Sequence, residues 1–239
     1  MIVRAVFLFA ATLTISACAS RHTPTGINDP FETRNRQVHQ FNKLLDKNLL
    51  KPVSSVYGRA ANGPMSQGIS NFSSNISLPG TVLNDLLQGQ LGDAFGNTAR
   101  FAINSTIGLG GLFDVATQNG LAEHATDFGE TLYVWGLPEG NFVELPVLGA
   151  STNRAAFGKL VDLVIDPANL IPKPQGYVVP ASHLISKVGD RSRFADTINS
   201  VLYSSDDSYA QSRLIYLQSR RHQLAGALNL DDLEDPYAE

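Results

Sequence analysis

The sequence has a single cysteine, Cys18, so no internal disulfide can staple the chain. Charge is scarce as well. Asp, Glu, Lys and Arg make up 17 % of the residues and the formal net charge is −4, where ordinary soluble domains carry about a quarter charged residues. A mildly acidic chain without a basic stripe is a poor nucleic-acid binder. Signatures of catalysis are missing too. There is no Gly-x-Ser-x-Gly elbow for a serine hydrolase and no His-Glu-x-x-His for a zinc site. His39, His124, His183 and His222 are dispersed. His124 and Asp127 can share a helical face, and Glu123, Asp127 and Glu130 can face a polar cavity, but spacing supplies no second group to complete a catalytic or metal site. The apolar, glycine-rich residues 107–113 lack the Lys-Ser/Thr end of a phosphate loop and the regular spacing of a dinucleotide fingerprint. A non-enzyme without cofactor or metal is expected. No internal run is long and apolar enough to span a bilayer.

What is present begins at the N-terminus. Arg4 precedes an apolar run over residues 5–17, AVFLFAATLTISA. That is the length of a signal-peptide core and short of the roughly 20 residues that a spanning helix needs. Small residues then lead into Cys18, and Ile15-Ser16-Ala17-Cys18 has the order of a bacterial lipobox. The thiol of Cys18 is the expected lipidation site. Ala19, in a place where aspartate marks inner-membrane retention, favours the outer membrane. Several acyl chains on one residue hold firmly, since each buried CH2 contributes about 0.8 kcal/mol. Only a short polar stretch follows, so the body stays close to the membrane. The reading divides the chain into a signal peptide, 1–17, a lipidated tether, 18–29, a helical domain, 30–230, and an acidic tail, 231–239.

Asn28-Asp29-Pro30 reads as a helix start. From Phe31 through Val38, Phe41, Leu44, Leu45, Leu49 and Leu50, apolar residues recur at helical spacing, which predicts an amphipathic helix ending before Pro52. Such a helix either packs on a core or lies in the membrane interface. Residues 57–66 read as a turn region. Between residues 65 and 120, glycine and proline predict several short helices that need mutual packing or a membrane. Residues 132–135 and 142–145 suggest short extended pieces or a hairpin. Helix resumes near 152–165, a proline-rich link follows, and two further helical stretches end the chain, the second capped at Ser205-Asp206-Asp207. The fold class is mostly α, a bundle of amphipathic helices with little or no strand.

The motifs taken in order resemble the MlaA/VacJ family of outer-membrane phospholipid-transport lipoproteins. They include Asn28-Asp29-Pro30-Phe31-Glu32, Phe41-Asn42, Gly68-Ile69-Ser70-Asn71-Phe72 and Asn84-Asp85-Leu86-Leu87-Gln88-Gly89. They continue with Arg100-Phe101-Ala102-Ile103-Asn104-Ser105-Thr106-Ile107-Gly108, Gly110-Gly111-Leu112-Phe113-Asp114, Asp127-Phe128-Gly129-Glu130-Thr131-Leu132, Trp135-Gly136 and Leu145-Pro146. The resemblance covers nearly all of residues 28–225. It implies a ring of amphipathic helices lying in the membrane around a polar channel, beside a trimeric outer-membrane porin. It implies removal of misplaced phospholipid from the outer leaflet to a soluble periplasmic lipid carrier, with ATP hydrolysed by a partner elsewhere. Carried over by position, Phe41 and Asn42 shape the channel, Gly108, Gly110 and Gly111 lie in a segment that bends near the pore, and Asn104, Asp127 and Arg154 are polar channel positions. The chain departs from the family at Gly140-Asn141, Gly149-Ala150-Ser151 and Arg154-Ala155, where a proline or an aspartate is usual. The competing reading is a structural lipoprotein that braces a porin or the envelope without moving lipid.

Cys18→Ala is expected to leave an uncleaved precursor that is absent from outer-membrane fractions. Normal fractionation of the variant would defeat the anchor.

Overall fold

The computed structural model describes residues 26–61 and 63–226. The signal segment, Cys18 and the acidic tail lie outside the described residues. The chain runs through α1 (Glu32–Leu45), a π-helical turn (Asp46–Leu50), α2 (Lys51–Ala60), α3 (Pro64–Gln88), α4 (Leu91–Thr106) and a short α5 (Val115–Gln118). It continues with α6 (Phe128–Val134), a hairpin of β1 (Phe142–Leu145) and β2 (Gly149–Thr152), and α7 (Asn153–Ile165). Two 3-10 turns (Pro167–Leu170 and Gln175–Tyr177) lead to α8 (Val178–Arg193), α9 (Ala195–Asn199), a second π-helical turn (Ser200–Ser204) and α10 (Ser208–Gly226). The fold is mostly helical. No helix among the described residues is long and apolar enough to cross a membrane.

Contacts between elements close into a circuit. α2 packs on α8, α8 on α3, α3 on α6, α6 on α7, α7 on the hairpin, and β1 returns to α1, which the π-turn joins to α2. α4 packs along the outside of α3, and α10 reaches β2. The apolar core is small. Phe142 of β1 meets Tyr209 and Leu217 of α10, with the Phe142 and Tyr209 rings edge to face at 6.0 Å.

Local chemistry explains the places where the chain departs from its sequence pattern. The first helix does not stop before Pro52. The π-turn resets the hydrogen-bond ladder, so Pro52 falls in the first turn of α2, where a missing N–H costs least. The expected run of short helices begins instead as one 25-residue helix, α3, which continues through Pro79. An interior proline costs about 3 kcal/mol, and packing against α4 on one flank and α8 on another offsets it. α3 ends at Gly89, left-handed at φ 77°, whose N–H caps the carbonyls of Asp85 and Leu86. Residues 132–134 are helical and not extended, because Asp127 accepts from the Glu130 N–H at 2.9 Å and starts α6. The hairpin forms one step later, with Phe142 opposite Thr152 and Leu145 opposite Gly149. Thr152 then caps α7, and Asp207 accepts from the Ala210 N–H to start α10.

Two buried carboxylates fasten the ends of this circuit. Asp29 accepts from Asn35, Tyr209 and Arg213, fixing the chain entry to α1 and α10. Asp46 takes a forked pair from Arg191 of α8 at 2.7 and 3.0 Å and the Tyr203 hydroxyl at 2.6 Å. These contacts hold the Asp46 carboxyl below its ordinary range although burial alone would raise it. Removing one partner strands the other charge. Asp46→Ala or Arg191→Ala is expected to cost about 3–5 kcal/mol, and the double variant less than the sum. Denaturant unfolding of the four proteins checks this, and strict additivity would overturn it.

Candidate functional site

The helices bury polar groups and expose apolar ones. Buried residues of α1, α3 and α4 include Asn35, His39, Asn75, Asn84, Asp85, Asn97, Arg100 and Asn104. Phe95 is 78 % exposed on α4, Val164 77 % on α7 and Leu160 63 % on α7. Phe31, Phe41, Leu44, Leu49, Val53 and Val56 point outward along α1 and α2. This reverses the usual arrangement of a domain in water. An exposed apolar surface of this extent marks a face that water does not cover in use.

Inside the circuit lies a cleft of about 490 Å³. Four helices supply its walls at helical spacing, so each presents one polar edge. α3 contributes Ser77, Gly80, Thr81 and Asn84. Thr126 and Asp127 come from the entry to α6, Lys159, Asp162 and Asp166 from α7 and its end, and His183 and Lys187 from α8. Asp162 joins three of the walls. It accepts from Asn84 Nδ2 at 3.0 Å and from the Phe128 N–H at 3.0 Å. Burial raises its pKa, against the pull of those donors. Asp127 is held by Arg220 of α10 at 2.6 Å. Ser73 and His183 Nδ1 are 2.9 Å apart, and burial lowers the pKa of this imidazole, which keeps it neutral at pH 7. Burial also lowers the pKa of Lys159, although the residue as a whole is exposed. Gly158 lets α7 touch α6, since a Cβ there would stand 2.3 Å from the Gly129 nitrogen.

The expected channel residues fall in different places. Asp127 lines the cleft. Phe41 is half exposed on the outer face of α1. Asn42 ties α1 to the hairpin, donating to Leu145 O at 2.9 Å and accepting from the Val147 N–H at 2.7 Å. Asn104 borders a second polar cavity of about 170 Å³ between α3, α4 and Asp114, and there it donates to Asp114 and accepts from the Ala116 N–H. Gly108, Gly110 and Gly111 form the loop that closes beside that cavity. Gly111 has φ 93°, and a Cβ on it would meet the Asn75 side chain at 2.6 Å. Gly108 is pressed between the carbonyls of Asn104 and Phe113. Arg154 is buried away from the cleft, donates to Leu137 O at 2.9 Å and lies over the Tyr133 ring. Lys159, Asp162, His183 and Lys187 were not singled out from the sequence. The three- and four-residue spacing of Lys159, Asp162 and Asp166 was the available signal.

The model of the MlaA lipoprotein family matches residues 27–223. The chain belongs to this family. An uncharacterised protein of Rickettsia bellii (strain RML369-C) is 32 % identical over 199 residues, covering 81 % of this chain and 76 % of its own. The intermembrane phospholipid transport system lipoprotein MlaA of Escherichia coli (strain K12) is 29 % identical over 237 residues, covering 97 % and 92 %. A solved chain reported under "Structural basis for maintenance of bacterial outer membrane lipid asymmetry" superposes with a TM-score of 0.71 at 29 % identity, covering 82 % of this chain and 98 % of that one.

Next to the cleft, Glu130 is 1 % exposed. Burial, with Asp127 nearby, pushes its carboxyl from 4.5 up to about 7, against the pull of Arg220. The folded value exceeds the unfolded one, so ionisation opposes folding. The stability linked to the protonated form is full below pH 4.5 and lost as pH rises through about 7. Glu130→Gln should match wild type near pH 4 and gain up to about 3 kcal/mol by pH 8. Thermal melts across that range read it, and a wild-type advantage at pH 8 would overturn it.

Proposed function

We propose that this chain is an outer-membrane lipoprotein, anchored at Cys18 on the periplasmic face, that draws misplaced phospholipid from the outer leaflet through its polar cleft. It hands the lipid to a soluble periplasmic carrier and stands beside a trimeric porin, and so maintains lipid asymmetry. The observation that carries the reading is the reversed amphipathicity around the cleft. A phospholipid has one part that needs water or polar partners and one that needs hydrocarbon. A charged headgroup crossing hydrocarbon unaided meets a penalty of several kcal/mol. The cleft offers a polar path lined by Asn84, Asp127, Asp162 and His183, while the exposed Leu160 and Val164 face of α7 suits acyl chains. Family membership and the phospholipid-transport name of the Escherichia coli relative support the same role. No catalytic step is required of this chain, and ATP is hydrolysed by a partner elsewhere, beyond the soluble carrier.

The test measures outer-leaflet phospholipid on intact cells with an enzyme that modifies only accessible lipid. Loss of the gene should raise the level and the wild-type chain should restore it. Gly80 faces the cleft, and a Cβ there would stand 3.8 Å from Asp166, so alanine fits without backbone strain. Gly80→Ala should therefore restore the level, while Gly80→Trp, present in the membrane at the wild-type amount with an unchanged helical circular dichroism spectrum, should obstruct the cleft and fail to restore it. An unchanged phospholipid level in cells whose porin is mislocalised would favour the structural brace.

A further inference from the structure

The carboxylates of the cleft are engaged and its two lysines are not. Asp127 is paired with Arg220. Asp162 holds Asn84 and the Phe128 N–H. Asp166 accepts from the Ala168 N–H at 2.8 Å. His183 is neutral and engaged with Ser73. Lys159 on α7 and Lys187 on α8 line the same space, and among the described residues neither takes part in an ion pair or hydrogen bond. The charged form of Lys159 is favoured by Asp127 and Glu144 and disfavoured by Lys187 and Arg220. Two cationic side chains lining one cleft with no ion-pair partner of their own leave an anion room to be held between them.

Resting on the transport reading above, we propose that Lys159 and Lys187 are the phosphate station of the cleft, gripping the phosphodiester of a glycerophospholipid as it passes. An ammonium is a compact point charge with several donors, suited to a phosphate that must be held and then released. Facing helices supply one lysine each, so the phosphate sits across the cleft while the acyl chains are free to trail outside. The consequence is discrimination by the phosphate itself. Lipids that carry one, whether phosphatidylglycerol or phosphatidylethanolamine, are retained over diacylglycerol, which has the same chains and no phosphate.

The experiment uses the full lipidated chain, purified in micelles doped with phosphatidylglycerol, phosphatidylethanolamine and diacylglycerol, and measures the lipid retained by mass spectrometry. Wild type should enrich both phospholipids over diacylglycerol. Lys159→Gln with Lys187→Gln should lower that enrichment roughly ten-fold, Lys159→Arg should keep it, and Lys173→Gln, outside the cleft, should leave it unchanged. Unaltered enrichment in the double Gln variant overturns the phosphate station and leaves the transport reading standing. Equal retention of all three lipids by wild type does the same. Failure of wild type to retain any lipid sinks the transport reading, and the station with it. Glycerol phosphate is the chain-free competitor. If it displaces phospholipid at the lipid's own concentration, the lysines form a free-phosphate site and the lipid assignment falls.

Discussion

One carboxylate, Asp162, holds the cleft in shape. It sits on α7, accepts from Asn84 of α3 and takes the first amide of α6. Three helices that are far apart in sequence are thereby set at fixed distances around one space. Burial works against its ionised form, so the neighbouring donors have to be in place for the charge to persist. A leucine there would pack, but it would leave the Phe128 N–H without its carboxylate and cut the tie from α7 to Asn84. The path for a headgroup and the junction that keeps it open thus share the same side chain.

The remaining polar interior follows the same logic. In water, a chain that buries Asn35, Asn97, Arg100 and Asn104 while exposing Phe95 and Val164 gives up most of the hydrophobic stabilisation available to it. In a lipid setting the exposed face carries no such penalty, and the interior is free to be wet. Stability then rests on polar knots such as Asp29 with Tyr209 and Arg213, and Asp46 with Arg191 and Tyr203. The apolar cluster of Phe142, Tyr209 and Leu217 is small.

Much of this was legible in the sequence where the controlling chemistry is local. The cap at Asp207, the helix from Asn153 to Ile165, its stop before Pro167 and the bend over residues 107–113 all depend on neighbours within a few positions. The long α3 was not legible, because the packing that lets it run through Pro79 comes from α4 and α8. Nor was the side on which water lies. An apolar stripe on α7 looks the same whether it meets a core or a membrane. The cleft escaped for a related reason. Lys159 and Asp162 share a helix face, but Lys187 and Asn84 join them only when the circuit closes. Of the residues expected at a channel from the resemblance, Asp127 lines the cleft and Asn104 borders the neighbouring cavity, and neither position by itself establishes a channel role. Asn42 and Arg154 lie at positions where side chains hold backbone.

The fastening of Asn28 and Asp29 has a mechanical side. A pull that reaches the body along the chain from its N-terminal side passes the Gly26 carbonyl, which accepts from Arg221, and arrives at these two residues. Asn28 is hydrogen-bonded to Asn141 and to the Phe142 amide, and Asp29 to Asn35, Tyr209 and Arg213. The load therefore divides at once between the hairpin, α1 and α10 instead of peeling α1 away from its end. Tension is thus shared among three elements, and the one that reaches the cleft, α10, does so through the single Arg220–Asp127 pair.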